Sequence, residues 1–241
     1  MHIVSLRPLM DSFLRRLKYY GIGFGIGLVF VLFFFQNRGC SWLPSNRVKN
    51  SFLERLIVVS DSQFVAMNKL GINKKELISV LNDGDVNFGA SRKSTNPKVY
   101  ELEKEINGKE TKFYFTLPEE SFIAEVFLAD RSIGKIQNSR SGFGKIIHFP
   151  NDETIVYVDS SRLLSCQQME IGFIDPKSML QAIKKTGKID FEKSRLDLSP
   201  KPEHYLSFKD KKGVRIGAKA VWYKTKINIS SFELPYSTDC E

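Results

Sequence analysis

The side chains best suited to chemistry in this sequence are arginines and aromatic residues, most of them in the C-terminal half. They are Arg195, Tyr205, Arg215, Trp222 and Tyr223, with Arg92 and Tyr100 in a similar setting in the N-terminal half. Arginine next to exposed aromatic rings is typical of surfaces that contact peptides, glycans or phosphates. These seven residues are therefore the predicted binding residues. Ordinary cross-strand packing is the other interpretation of the same pattern.

The sequence offers little for catalysis. Its three histidines, His2, His148 and His204, are far apart, and it contains no phosphate-binding loop, no Cys-x-x-Cys and no carboxylate pair with a supporting histidine. Asp61 and Asp175 precede helical patterns and are explained as helix caps. We therefore predict no catalytic residue, no cofactor and no metal site.

The three cysteines, Cys40, Cys166 and Cys240, cannot all pair within one chain. Cys166 and Cys240 could form a disulfide in an oxidising compartment, or all three could stay thiols in a reducing one. No two cysteines have the spacing of metal ligands.

The chain carries a formal net charge of +9, and the excess is concentrated near the C-terminus. The segment 184–226 has thirteen Lys and Arg against five Asp and Glu. Such a basic segment suggests an anionic partner, such as an anionic envelope component. A solvated surface that keeps the chain soluble is the alternative, and a protein partner is also open.

Residues 19–36 contain the one long apolar run of the sequence and predict a transmembrane helix. The basic head over residues 1–18 favours a cytoplasmic N-terminus, so we expect a single-pass protein of the bacterial inner membrane with a periplasmic body. The lipid bilayer is then a partner. Gly21 and Gly25 have G-x-x-x-G spacing and suggest a homodimer through this helix.

The rest of the chain alternates between helical and strand patterns. After a juxtamembrane link over residues 37–50, we predict a first α+β module over 51–130, a linker over 131–150 and a second, basic α+β module over 151–241. Each module has two short helices followed by a small antiparallel sheet.

The two modules also share sequence. Residues 84–92, GDVNFGASR, match residues 187–195, GKIDFEKSR, at Gly, Phe, Ser and Arg. Further pairs are Pro97 with Pro202, Tyr100 with Tyr205, and Gly108 with Gly213. Together they indicate two divergent tandem copies of one unit.

This unit resembles the bacterial domain-of-unknown-function family 4258, through Ile174-Asp175, the Gly187 to Phe191 segment, Tyr205 and Gly213. Residues 19–50 are similar to the anchor of membrane-tethered members from Bacteroidetes-type bacteria. The resemblance implies a ribonuclease-toxin-like fold and RNA cleavage. Such members carry a histidine and two arginines in the first helix, where this chain has residues near Ser62, Ala66 and Leu70.

The first hypothesis for function is a non-enzymatic binding or scaffolding protein of the bacterial envelope. Its rival is a divergent, membrane-tethered, ribonuclease-toxin-like enzyme. Nucleic acid is not expected as a partner under the first hypothesis.

Overall fold

A computed structural model describes residues 7–36, 43–150, 155–223 and 225–240 of the chain. It divides into two compact units, Met1–Arg47 and Val48–Glu241, which we describe separately.

The first unit contains a 30-residue helix, α1 (Arg7–Gln36). No helix in the described residues has an apolar stretch long enough to cross a membrane. The predicted transmembrane helix, and with it the single-pass inner-membrane location, is therefore wrong. The side chains of α1 are described over residues 15–31. This segment has three cations at its start and four glycines, which reduce its apolar side-chain surface. Gly21 and Gly25, the predicted dimer face, have no atom within 4 Å of a Cβ built on them.

Helix α2 (Pro44–Leu53) crosses the boundary between the units, and the remaining elements belong to the second. In chain order they are β1 (Leu56–Ser60), α3 (Asp61–Lys69), α4 (Lys74–Asp83), β2 (Asp85–Arg92), β3 (Lys98–Ile106), β4 (Lys109–Leu117), β5 (Ile123–Leu128), a 3-10 turn (Ile133–Lys135), β6 (Phe143–His148), β7 (Ile155–Val158), α5 (Arg162–Glu170), α6 (Pro176–Thr186), β8 (Lys188–Arg195), β9 (Glu203–Lys209), β10 (Arg215–Trp222) and β11 (Lys226–Glu233).

Polar side chains cap the starts of the helices. Asn73 begins α4 with a capping box, in which its side chain accepts the Lys75 N–H and the Glu76 carboxylate accepts the Asn73 N–H. Asp175 begins α6 and accepts N–H groups from Lys177 and Ser178. These polar caps fix the helix starts close to where the sequence pattern places them.

The described strands form one 11-stranded mixed sheet in the order β2-β3-β4-β5-β1-β6-β8-β9-β10-β11-β7. The expected fold class, a transmembrane helix followed by two modules that each hold an antiparallel sheet, is therefore wrong. Two pairs are parallel, β1 with β5 and β7 with β11. Strand β6, from the segment predicted as a linker, pairs antiparallel with both β1 and β8 and joins the halves.

The two halves repeat one order of elements. Each has a strand, two helices and four antiparallel strands, and in each the first strand pairs in parallel with the last. We call them the first half (β1 to β5) and the second half (β7 to β11). The sequence did not predict that the first strand of each half would pair with the last strand of the same half.

The matching nonapeptides form the same bulge in both halves. In the first half, Ser91 Oγ donates to Asn87 O (2.6 Å) and accepts the Glu101 N–H (3.1 Å). In the second half, Ser194 Oγ donates to Asp190 O (2.5 Å) and accepts the Tyr205 N–H (3.0 Å). In both, the serine takes the place of a missing ladder hydrogen bond. Strand geometry thus explains the shared serine.

Strand β1 lies between the cores of the two halves. Leu56 and Val58 belong to the core that contains α5, α6 and β9, whereas Ile57 and Val59 belong to the core that contains α3, α4 and β4. All four side chains have no exposed surface. Since successive strand residues point to opposite faces, β1 is buried on both faces and the two halves share it.

Candidate functional site

A cavity in the second unit lies where loops of the two halves meet. It has a volume of about 660 Å³, which is within the range of ligand-binding clefts. The β4–β5 loop and the end of α2 contribute one wall, and the β8–β9 loop and the end of β10 contribute the other. Its lining includes Arg55, Glu119, Glu120, Ser121, Phe122, Leu196, Asp197, Lys201, His204 and Trp222. We call it the junction cleft.

Arg55 shapes one wall of this cleft. Its Nη1 donates to the carbonyl oxygens of Pro118 (2.7 Å) and Ser121 (2.6 Å), which fixes the β4–β5 loop. Burial lowers the pKa of Arg55, and the nearby Glu120 carboxylate opposes that shift. Since both hydrogen bonds go to backbone carbonyls of the β4–β5 loop, the guanidinium stabilises the conformation of that loop.

Aromatic rings form another part of the lining. Trp222 is 4% exposed and stacks on Phe122, with ring centroids 6.5 Å apart and planes within 10° of parallel. Phe149 packs against the indole at 6.0 Å. The indole Nε1 is buried and has no hydrogen-bond partner among the described residues. Trp222 thus holds a rigid apolar floor at the end of β10.

A buried serine and histidine connect the two halves at the bottom of the cleft. Ser121 Oγ lies 2.9 Å from His204 Nε2 and also accepts the Ile123 N–H at 3.1 Å. His204 is 1% exposed, and burial lowers its pKa to about 4, so the ring is neutral at physiological pH. Ser121 is only 5% exposed, and its hydroxyl already has two hydrogen-bond partners. The pair therefore serves to connect β9 to the β4–β5 loop.

The charged side chains around the cleft are mostly acidic, although the whole chain is basic. Four acids (Glu54, Glu119, Glu120 and Asp197) and two bases (Arg55 and Lys201) line it. An adjoining groove of about 520 Å³ shares Glu120, Leu196 and Asp197 with the cleft and adds Glu192 and Arg140. We call it the side groove. Together the two form one acidic surface.

Most of these charges have partners, and Glu120 accepts a hydrogen bond from Asn96 Nδ2 at 2.7 Å. Lys201 lies over the Tyr223 ring, 4.1 Å from its centroid, and Arg55 is held by carbonyls. Glu119 pairs with Lys98 at 3.4 Å in an exposed ion pair, which contributes little stability. Asp197 is exposed and has no polar partner in the described part of the chain.

The predicted binding residues do not form one cluster. Trp222 lines the junction cleft, and Tyr223 lies beside it between Lys201 and Lys226, whose ammonium is 4.7 Å from the ring centroid. Tyr205 and Arg215 line a separate groove of about 320 Å³ on the second half. Arg195 is exposed at the end of β8.

The two predicted residues of the first half have structural roles. Arg92 donates to the carbonyl oxygens of Gly134 (2.8 Å) and Ile136 (2.7 Å), so it fixes the loop that follows β5. Tyr100 packs edge-on against Phe52, with ring centroids 5.8 Å apart. Both therefore support the fold.

Tyr205 belongs to a hydrogen-bonded network. Its hydroxyl donates to Glu233 (2.5 Å) and accepts from Lys193 (3.3 Å), and Lys193 also pairs with Glu233 (2.8 Å). Burial, and then the hydrogen bond with Glu233, raises the pKa of Tyr205. A Cβ at Gly217 would lie 1.8 Å from the Tyr205 hydroxyl oxygen, so only glycine fits beneath this ring.

The structure joins Cys166 to Cys240 by a disulfide across 74 residues of sequence. Cys40 lies outside the described residues. Among the described residues, no three His, Cys, Asp or Glu side chains are grouped so that they could hold a metal ion.

Sequence reasoning missed Ser121, Glu125 and the role of His204. Ser121 and His204 are 83 residues apart, and neither lies in a motif that signals the other. Glu125 occupies a strand whose six residues are all buried, a setting in which a lone carboxylate is unusual. In the sequence, the signal was a single carboxylate within the apolar run FIAEVFL over residues 122–128.

Comparison with known proteins gave no relative from which a function could be inferred: no protein-family model, no curated protein and no solved structure matches this chain.

Proposed function

We propose that this protein is a non-catalytic binding protein whose junction cleft receives an extended, positively charged polypeptide segment. The observation that carries the proposal is the acidic lining of the cleft in a chain of net charge +9. Opposite charge at a cleft selects its partner and speeds encounter.

The shape of the site supports a polypeptide over a small molecule. The junction cleft and the side groove share three lining residues, so the acidic surface continues over two connected depressions. An extended chain places successive side chains along such a surface, where each basic side chain can meet an acid.

The site residues also support binding over catalysis. His204 is neutral, and both His204 and Ser121 are buried and hydrogen-bonded to each other. The aromatic floor of Trp222 and Phe122 provides apolar contact for the aliphatic stems of lysine or arginine.

The test uses fluorescence anisotropy of a short labelled peptide in which Lys or Arg alternates with Ser and Leu, added to the full chain. We expect saturable binding that weakens as salt rises, and no binding of the matched peptide in which Glu replaces each cation. In a Trp42→Phe background, emission from Trp222 should change with the same midpoint.

A matched pair of variants locates the site. The double variant Glu120→Gln with Asp197→Asn should weaken peptide binding about tenfold, or about 1.4 kcal/mol. The control, Glu105→Gln with Asp85→Asn, removes the same charges from exposed positions outside both depressions and should leave affinity unchanged. Equal losses in both variants, or equal binding of the acidic peptide, would refute the proposal.

A further inference from the structure

Beneath the junction cleft lies a small internal cavity of about 10 Å³, close to the space that a single water molecule needs. Its polar lining includes Ser121, Glu125, Asn138, Ser139 and His204. These residues come from the β4–β5 loop, β5, the loop between β5 and β6, and β9. The cavity therefore lies between the two halves.

Three residues of this lining each have one buried polar atom without a hydrogen-bond partner within the described chain. The atoms are Glu125 Oε2, Asn138 Oδ1 and His204 Nδ1. A buried polar group without a hydrogen-bond partner destabilises the folded state, so three such groups around one cavity would be a large cost. Buried waters typically make about three hydrogen bonds to such groups.

We infer that this cavity is a binding site for one water molecule, which hydrogen-bonds to Glu125, Asn138 and His204 and thereby connects the two halves of the fold.

The neighbouring hydrogen bonds assign the polarity of each group. Ser121 Oγ accepts the Ile123 N–H, and its own proton is directed to His204 Nε2, which leaves the proton of the neutral ring on Nδ1. His204 Nδ1–H is then a donor toward the cavity, while Asn138 Oδ1 is an acceptor. A water accepts from the first and donates to the second.

Glu125 explains why the ligand is water and not a fixed group or a cation. One carboxyl oxygen, Oε1, accepts the Ser139 N–H at 2.8 Å, and the other, Oε2, is buried without a partner among the described residues. Water can donate to this oxygen when it is ionised and accept from it when it is protonated. A monovalent cation would be repelled by the Nδ1–H donor of His204.

The direct test is a crystal structure of the full chain at a resolution that shows ordered water, with crystals grown in sodium and in rubidium salts. We expect one density peak within hydrogen-bond distance of all three atoms, without anomalous signal in rubidium. An anomalous peak there, or a collapsed cavity in which Glu125 bonds directly to Asn138 or His204, would overturn the inference.

A second test works in solution. Nitrogen chemical shifts of His204 should report a neutral ring protonated at Nδ1, and Glu125→Gln with Asn138→Ala should show a smaller combined loss of stability than the sum of the single losses. Additive losses together with the opposite tautomer would overturn it. Because this readout does not involve peptide, failure here is distinguishable from failure of the proposed binding function.

Discussion

At the scale of single residues, two of the buried titratable groups in the second unit, Glu125 and His204, have pKa values shifted in opposite directions. Burial raises the pKa of Glu125 to about 7, opposed by its hydrogen bonds with Ser139. Burial lowers the pKa of His204 to about 4. In each case a low-dielectric site favours the neutral form.

These shifts predict how stability depends on pH. The contribution of Glu125 is fully present below pH 4.5, its ordinary value, and is lost as pH rises through about 7. The contribution of His204 is present above pH 6.5 and is lost as pH falls through about 4. Each shift corresponds to about 3 kcal/mol, and between pH 4.5 and 6.5 the two slopes oppose each other.

Variants separate the two effects. Relative to wild type, Glu125→Gln should become more stable by about 3 kcal/mol as pH rises from 4.5 to 7, whereas His204→Gln should become more stable by a similar amount as pH falls from 6.5 to 4. Urea unfolding across this range measures both differences. Glu105→Gln, at an exposed position, is the control. A difference that does not vary with pH would contradict the assignment.

At the scale of elements, capping and bulge residues determine local geometry, and the disulfide fixes the C-terminal segment. Cys240 follows the last strand, and its partner Cys166 lies in α5. The bond therefore connects the end of the chain to a helix near the start of the second half.

Reduction of this disulfide should destabilise the second unit by up to about 4 kcal/mol, because the unfolded chain is released from a loop of 74 residues. Thermal unfolding with and without reductant should then differ by about 10 °C. The double variant Cys166→Ser with Cys240→Ser should unfold at the lower temperature, and reductant should not change that temperature. If wild type is also insensitive after mass spectrometry has shown that the bond is reduced, the disulfide does not stabilise the fold.

At the scale of the whole molecule, the second unit is one folding body although its halves repeat. Strand β1 contributes alternate residues to both cores, and β6 connects the halves within the sheet. Neither half can unfold without exposing one face of β1.

We therefore predict a single cooperative transition for residues 48–240. Native-state hydrogen exchange should give the same largest opening free energy for amides of β3 and β4 as for those of β9 and β10. The control is α1, which belongs to the other compact unit and should exchange independently. A lower limiting value in one half would show that the halves unfold separately.

The sequence alone predicted the features that depend on neighbours along the chain. Local sequence accounts for the helix caps at Asn73 and Asp175 and for the Asn107-Gly108 turn between β3 and β4. The match between the two nonapeptides is visible in the sequence, and the structure adds that both form the same bulge. Beyond the bulge, the pairing of Tyr100 with Tyr205 is wrong by one residue. The backbone position opposite the bulge is Glu101 in the first half and Tyr205 in the second, so Tyr100 corresponds to His204 and not to Tyr205.

Only the tertiary structure decided how these pieces combine. The parallel return of β1 to β5 and of β7 to β11, the incorporation of β6, and the meeting of Ser121 with His204 all join residues far apart in the chain. Local pattern does not encode such pairings, because a strand's alternation fixes which side chains are buried but not which strand lies beside it. The apolar run of α1 predicts a membrane span, but no helix in the described residues is long and apolar enough to cross a membrane. Composition and spacing thus determined elements and caps, while long-range packing determined the sheet, the cleft and its buried polar cavity.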